Sequence, residues 1–186
     1  MTRNPPLVAL LAHPQTPAGP ARQICARAWS ADTGKLRLEY ALEADLQRVR
    51  IPPPMPHTGR AERLWAHTCF EAFIGIEGSA RYLELNFSPS GQWAAYQFES
   101  YRAGMTPVEL AEAPQVRVHR AEGRLELRAS VRIAAAGRLR LALSAVVEEA
   151  AGGLSYWALR HPAGRPDFHH PDSFSLELDS PRNPDP

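Results

Sequence analysis

Residues 64–105 read LWAHTCFEAFIGIEGSARYLELNFSPSGQWAAYQFESYRAGM and hold nine of the chain's fifteen aromatic residues. Phe70, Ala72, Ile74 and Ile76 alternate with Cys69, Glu71, Phe73 and Gly75. That period of two is the mark of a strand whose successive side chains point to opposite faces. Glu77-Gly78-Ser79 is turn chemistry. Leu83, Leu85 and Phe87 then alternate with Tyr82, Glu84 and Asn86. Ser88-Pro89-Ser90-Gly91 interrupts the pattern, since Pro and Gly each stop a strand. A third strand sets Ala94, Tyr96 and Phe98 against Trp93, Ala95 and Gln97.

The register follows from matching faces. Pairing Ile74 with Leu83 sets Ala72 opposite Leu85 and Phe70 opposite Phe87, so the apolar faces coincide. A slip of one residue would turn one strand's side chains to the wrong face. In this register Glu71 faces Asn86. Across the Ser-Pro-Ser-Gly loop Asn86 is expected to face Trp93, giving the rows Glu71–Asn86–Trp93 and Phe73–Glu84–Ala95. A slip of two residues would set Glu71 against Glu84, which like charges disfavour. A polar row edged by an aromatic ring suits a hydroxyl-rich ligand: the ring stacks and carboxylate and amide take hydroxyls. A solvated outer face carrying one Trp is the plainer alternative.

The rest of the chain continues the strand pattern. Leu7 to Ala12 reads as a first strand and ends at His13-Pro14. Ile24–Trp29 and Leu36–Leu42 flank Ser30 to Lys35 as a hairpin. Ala44 to Ile51 is expected to be a short strand, Pro52 to Thr58 irregular, and Gly59 to Trp65 a turn of helix. Thr106 to Ala113 reads as loop. Val116–Arg120 and Arg124–Ile133 form a second hairpin, followed by strands at Arg138–Val147, Leu154–His161 and Phe174–Leu178. Strands at short spacing with little amphipathic helix argue for a sandwich or barrel.

Composition bounds the possibilities. The 186 residues suit one domain, 1–186, with 1–6 and 180–186 as loose ends. The net charge is +1 and the basic residues do not cluster, so nothing points to nucleic acid. Eighteen prolines favour loops and strand ends over long helices. Two cysteines, Cys25 and Cys69, make no disulfide framework and read as small buried hydrophobes. The apolar run Leu7–Ala12 is short for a secretory signal, and no segment is long enough to span a membrane. The cytoplasm is therefore the expected location.

The motifs carry a resemblance. Leu64-Trp65, Thr68 to Ile74, Tyr82 to Tyr96 and Tyr101 to Met105 resemble the bacterial DOMON-like domain proteins, which are allied to the family-nine carbohydrate-binding modules. The shared pattern is a Trp, a Phe-Glu-x-Phe strand, then Tyr-x-Glu-x-Asn and Pro-x-Gly-x-Trp. Trp157-Ala158-Leu159 and Pro166-Asp167-Phe168-His169 extend the likeness at lower specificity. The resemblance implies a jelly-roll-like antiparallel β-sandwich of roughly nine to eleven strands. Relatives bind sugars or haem.

The expected function is a non-catalytic binding module for a small polar ligand, a sugar or sugar derivative first. Trp93 would stack, Glu71 and Glu84 would accept hydroxyl donors, Asn86 would orient, and Arg102 would neutralise or donate. Trp65, Trp157 and His161 would flank them. His57, Arg60 and Arg63 lie within reach on the preceding loop. Four alternatives stand beside this reading. Met105 with His67 or His161 could hold haem. His161, His169 and His170, with Asp167 and Asp172 nearby, could bind a metal. Glu71 and Glu84 could serve a glycoside hydrolase; the plainer expectation is one carboxylate held by Arg102 or Arg81 and the other in water. The exposed aromatics could instead meet a protein partner.

Overall fold

The computed structural model describes residues 4–31, 34–57, 59–135 and 137–180. They form β1 (Val8–Ala12), β2 (Ala21–Ala31), β3 (Lys35–Ala44), β4 (Cys69–Ile76), β5 (Tyr82–Phe87) and β6 (Trp93–Phe98). After these come β7 (Thr106–Pro107), β8 (Gln115–Ala121), β9 (Arg124–Arg132), β10 (Arg138–Glu148), β11 (Leu154–Ala158) and β12 (Leu176–Asp179). Among the described residues the only helical segments are the short 3₁₀ turns Leu64–Ala66 and Pro171–Ser173. None is long and apolar enough to cross a membrane.

The strands make two antiparallel sheets. The first runs β1-β2-β3-β9-β8, and the second runs β7-β6-β5-β4-β10-β11-β1, with β12 beside the start of β10. Strand β1 belongs to both. Val8, Ala9 and Leu10 pair with β2, while Leu11 and Ala12 pair with β11.

Packing follows from the alternation. Leu36, Leu38, Tyr40 and Leu42 of the first sheet and Phe70, Ala72, Leu85, Phe87, Leu141 and Leu143 of the second share one core. This is sheet-on-sheet packing, with the inner faces interdigitated. The second sheet differs from the first in having an apolar outer face as well. Cys69, Phe73, Tyr82, Ala94, Tyr96, Phe98, Ala142 and Val146 pack there under Leu64 and Phe168. Strands β4 to β6 are accordingly buried almost throughout, as strands covered on both sides must be. The first sheet instead turns a charged face outward, where Glu39 accepts from Arg27 at 2.9 Å and from Arg128 at 3.3 Å.

The β4–β5 register is the one the sequence predicts: Phe70 with Phe87, Glu71 with Asn86, Ile74 with Leu83. The β5–β6 register differs by one residue. Phe87 pairs with Trp93, and Asn86 pairs with Ala94. The reason is the loop: the Ser88 N–H donates to Gln92 O at 2.9 Å, and Gly91 takes φ 87°. A three-residue loop with glycine at its left-handed position is thereby closed, where a four-residue loop was expected.

Three further expectations are corrected or fall outside the described residues. Of the expected strand Ala44 to Ile51 only Ala44 is in a strand, as the end of β3; the rest turns, and it meets the end of β10 through a bridge from Val49 to Glu149 and the bonds Arg50 N–H to Glu148 O at 2.8 Å and Ala150 N–H to Arg48 O at 2.7 Å. Within Thr106–Ala113 the two residues of β7 pair with β6. The hairpin tip at 32–33, the first three residues of the expected N-terminal end, and 181–186 lie outside the described residues.

Candidate functional site

The outer face of the second sheet is the floor of the candidate site. Cross-strand pairing lays down two polar-bearing rows. One runs Ser144–Glu71–Asn86–Ala94 across β10, β4, β5 and β6. The other runs Ala142–Phe73–Glu84–Tyr96. Glu71 and Glu84 therefore sit on adjacent strands as diagonal neighbours, within reach of one another without any register slip.

Two segments roof this floor: the chain entering β4 and the loop leaving β11. Between floor and roof lies a cavity of about 480 Å³, within the usual range for small-molecule sites. Aromatic side chains from Trp65, Phe98, Tyr156 and Phe168 line it, together with Glu71, Glu84, Arg102 and His169.

The polar groups fall into two sets. The first is fully tied. The Tyr82 hydroxyl lies 2.8 Å from His169 Nδ1 and accepts from the Arg102 backbone N–H at 3.2 Å. Arg102 donates through Nε at 3.2 Å and Nη2 at 2.8 Å to Asp167 Oδ1. Asp167 also accepts from the Tyr101 hydroxyl and from the His169 backbone N–H at 3.1 Å. Burial alone would raise the Asp167 carboxyl, but the bonds from Tyr101 and Arg102 hold it below its ordinary value. His169 is pushed down to about 4, by burial first and by the nearby Arg102 charge second. It is therefore neutral at physiological pH, with Nδ1 2.8 Å from the Tyr82 hydroxyl and Nε2 3.7 Å from Glu84 Oε2.

The second set is incomplete. Glu71 Oε1, Asn86 Oδ1 and Ser144 Oγ are all buried without a hydrogen-bond partner, and they occupy consecutive positions of one row. Asn86 spends its Nδ2 on Glu84 Oε1 at 2.8 Å. Burial raises the Glu71 carboxyl well above its ordinary value, and the Glu84 charge adds to this. Burial also raises Glu84, opposed by the Asn86 bond and by Arg102.

The loop carrying Arg102 is conformationally strained. Arg102 has φ 53°, in the left-handed region that side chains disfavour, while Gly104 at φ 67° takes the same region freely for want of a Cβ. A Cβ on Gly104 would lie 2.6 Å from Glu99 Cγ. Such outliers gather where the chain must aim a side chain.

The sequence candidates sort as follows. Glu71, Glu84, Arg102 and Trp65 converge on the floor and walls, and Asn86 lies behind them, donating to Glu84. Trp93 does not; the one-residue shift in register turns it into the core between the sheets, with 8% of it exposed. Trp157 shares that core, and its Nε1 donates to Ser155 Oγ at 3.0 Å. His161 lies outside the cavity lining, 2.8 Å from the Leu11 carbonyl and edge-on to His13. Arg102 holds Asp167 rather than a floor carboxylate, and Arg81 is exposed. Arg60 pins the entering chain by donating to Val108 O and Ala95 O. His57 is exposed.

The three histidines of the metal alternative are held apart. His161 and His169 are engaged as described, and His170 accepts from the Asp172 N–H at 3.2 Å to cap the short turn. Among the described residues no three metal-ligating side chains converge. The haem pair is not assembled either. Met105 lines the cavity, whereas His67 lies off the lining, 2.8 Å from Glu148 on the surface, so these two residues do not fit a haem iron between them. Sequence reasoning missed Tyr156 and Phe168 as site residues, and Ser144 as the neighbour of Glu71 in its row. Tyr82 was visible beside Glu84 on the outward face; the roof was not, because its residues show no periodicity.

The fold is that of the β-sandwiches among carbohydrate-binding proteins. One such structure is a candidate carbohydrate-binding protein from Bacteroides uniformis ATCC 8492, similar at TM-score 0.61 and 14% identity over 84% of this chain and 78% of that one. A family 9 carbohydrate-binding module from Caldicellulosiruptor kristjanssonii in complex with cellotriose is similar at TM-score 0.60 and 7% identity, over 96% and 84%. In complex with glucose, a family 9 module from the same organism gives TM-score 0.52 and 9% identity, over 95% and 82%. No family model matches the chain, and no curated protein matches it in sequence.

Proposed function

We propose that this protein is a binding module for a small sugar or sugar derivative, held in the cavity on the outer face of the second sheet. The observation that carries this reading is the row Ser144–Glu71–Asn86, three neighbouring buried side chains with unpaired oxygens, of which Glu71 lines the cavity and the other two lie beside it in the sheet. Buried polar groups are ordinarily paired, and leaving one unpaired costs about 1–3 kcal/mol. A ligand rich in hydroxyls completes such a row, while the aromatic walls take its apolar faces. Asn86 and Glu84 orient the ligand through their mutual hydrogen bond. Stacking falls to Trp65, Phe98, Tyr156 or Phe168 in place of Trp93. The sugar complexes of the structurally similar modules support the same class of ligand.

A DOMON-like assignment and a cytoplasmic location belong to this reading as its finer terms. They favour a soluble sugar over an extracellular polysaccharide.

Calorimetric titration of the full chain with hexoses and short oligosaccharides tests the proposal. Saturable binding that is lost in Glu84→Gln is the expected result. Absence of binding across the panel, or a Soret band in freshly purified protein, would overturn it.

A further inference from the structure

The floor carries more negative charge than its surroundings neutralise. Of the residues lining the cavity, Glu71 and Glu84 are acidic and only Arg102 is a strong base. Arg102 already gives both Nε–H and Nη2–H to Asp167 Oδ1. Glu71 has 3% of its surface exposed and Glu84 6%. Among the described residues no cation pairs with Glu71, and Oε1 has no hydrogen-bond partner.

The groups that face Glu71 do not supply one. Glu84 on β5 is acidic, and Cys69 on β4 is a thiol that burial keeps protonated. Tyr40, reaching across from the first sheet, donates its hydroxyl to the Glu71 backbone carbonyl at 2.7 Å and not to the carboxylate. From the roof come only neutral His169 and the closed Arg102–Asp167 pair. Two buried carboxylates this close cannot both ionise unless a positive charge joins them; alone, they retain a proton between them.

The walls fit the same deficit. Trp65 and Tyr156 line the cavity together with the carboxylates. An aromatic face together with a buried carboxylate pair is the recognised chemistry for an ammonium group, through cation–π attraction and charge-assisted hydrogen bonds.

We propose that the ligand of this cavity carries a protonated amine, as an amino sugar does, and that the amine docks between Glu71 and Glu84 while the aromatic walls take the sugar ring. This rests on the sugar-binding reading and narrows it. On binding, the amine takes the place of the proton the two carboxylates share, and that proton is released to solvent.

The test is calorimetric titration of the full chain with matched pairs, glucosamine against glucose and galactosamine against galactose, and with N-acetylglucosamine. Each titration is repeated in two buffers of different ionisation enthalpy. The expected result is an amino sugar bound about tenfold or more tightly than its hydroxyl parent, with the advantage abolished by N-acetylation. Heats that differ between the buffers would report the released proton, and the preference should disappear in Glu71→Gln. Equal or tighter binding of the hydroxyl sugars overturns this proposal and leaves the sugar-binding reading standing. Binding of none of these probes by natively folded protein overturns both.

Discussion

The Tyr82 hydroxyl lies 2.8 Å from His169 Nδ1, joining the cavity floor to a loop 87 residues further along the chain. The same oxygen accepts from the Arg102 backbone N–H at 3.2 Å. One phenol thus ties the roof loop after β11 and the loop after β6 to one strand. Its ring also stacks on Phe98 at 4.8 Å with the planes 3° apart, so deleting the oxygen alone leaves the ring seated.

Tyr82→Phe should therefore keep the fold and loosen the roof. A stability loss of about 1 kcal/mol is expected, measured by urea denaturation. Ligand affinity should fall several-fold, with faster backbone amide exchange across 166–173.

The two tryptophans separate site from core. Trp93→Ala empties a buried position between the sheets and should cost about 3–5 kcal/mol, with little change in ligand affinity for the folded fraction. Trp65→Ala should do the reverse, leaving stability nearly unchanged and weakening ligand binding about tenfold. Denaturation and titration on both variants check the contrast.

Glu71 sets a pH dependence of known sign. Its carboxyl holds a proton more tightly in the folded chain than in the unfolded one, where the ordinary value of 4.5 applies. Below that value both states are protonated and the group contributes nothing to the balance. As pH rises between the ordinary and the raised value, the unfolded chain loses its proton first, and folded stability declines. Glu71→Gln removes this decline. The variant should match the parent in Tm below the ordinary value of 4.5 and exceed it increasingly as pH rises above that value, without ligand.

Gly104→Ala places a side chain at φ 67° and against Glu99. A loss of about 1–2 kcal/mol is expected, together with weaker ligand binding, because Arg102 and Met105 flank the same turn. Thermal unfolding and titration measure the two effects.

Much of this architecture was legible because the two faces of each strand differ. Alternation placed Phe70, Ala72 and Ile74 against Phe87, Leu85 and Leu83, and that register is the one found. It thereby placed Glu71 beside Asn86. The position of Trp93 was not legible. Both faces of β6 are apolar and aromatic, so burial pattern could not arbitrate between registers, and the decision passed to a left-handed glycine in the loop. The roof was hidden for another reason. Phe168, His169 and Asp167 gain their roles from contacts to strands far away in sequence, which periodicity does not encode. The same holds for Ser144, an ordinary small residue until the pairing of β10 with β4 sets it next to Glu71.

The five residues of β1 are hydrogen-bonded to one sheet through their first three positions and to the other through their last two. Removing them would do more than shorten the protein. It would lay bare the margin of β2 and the margin of β11 together, two unprotected edges of the kind through which chains zip onto one another. The N-terminal strand thus acts as a seam. An amino-terminal truncation past Ala12 is expected to produce self-association, visible by light scattering, before it produces loss of secondary structure.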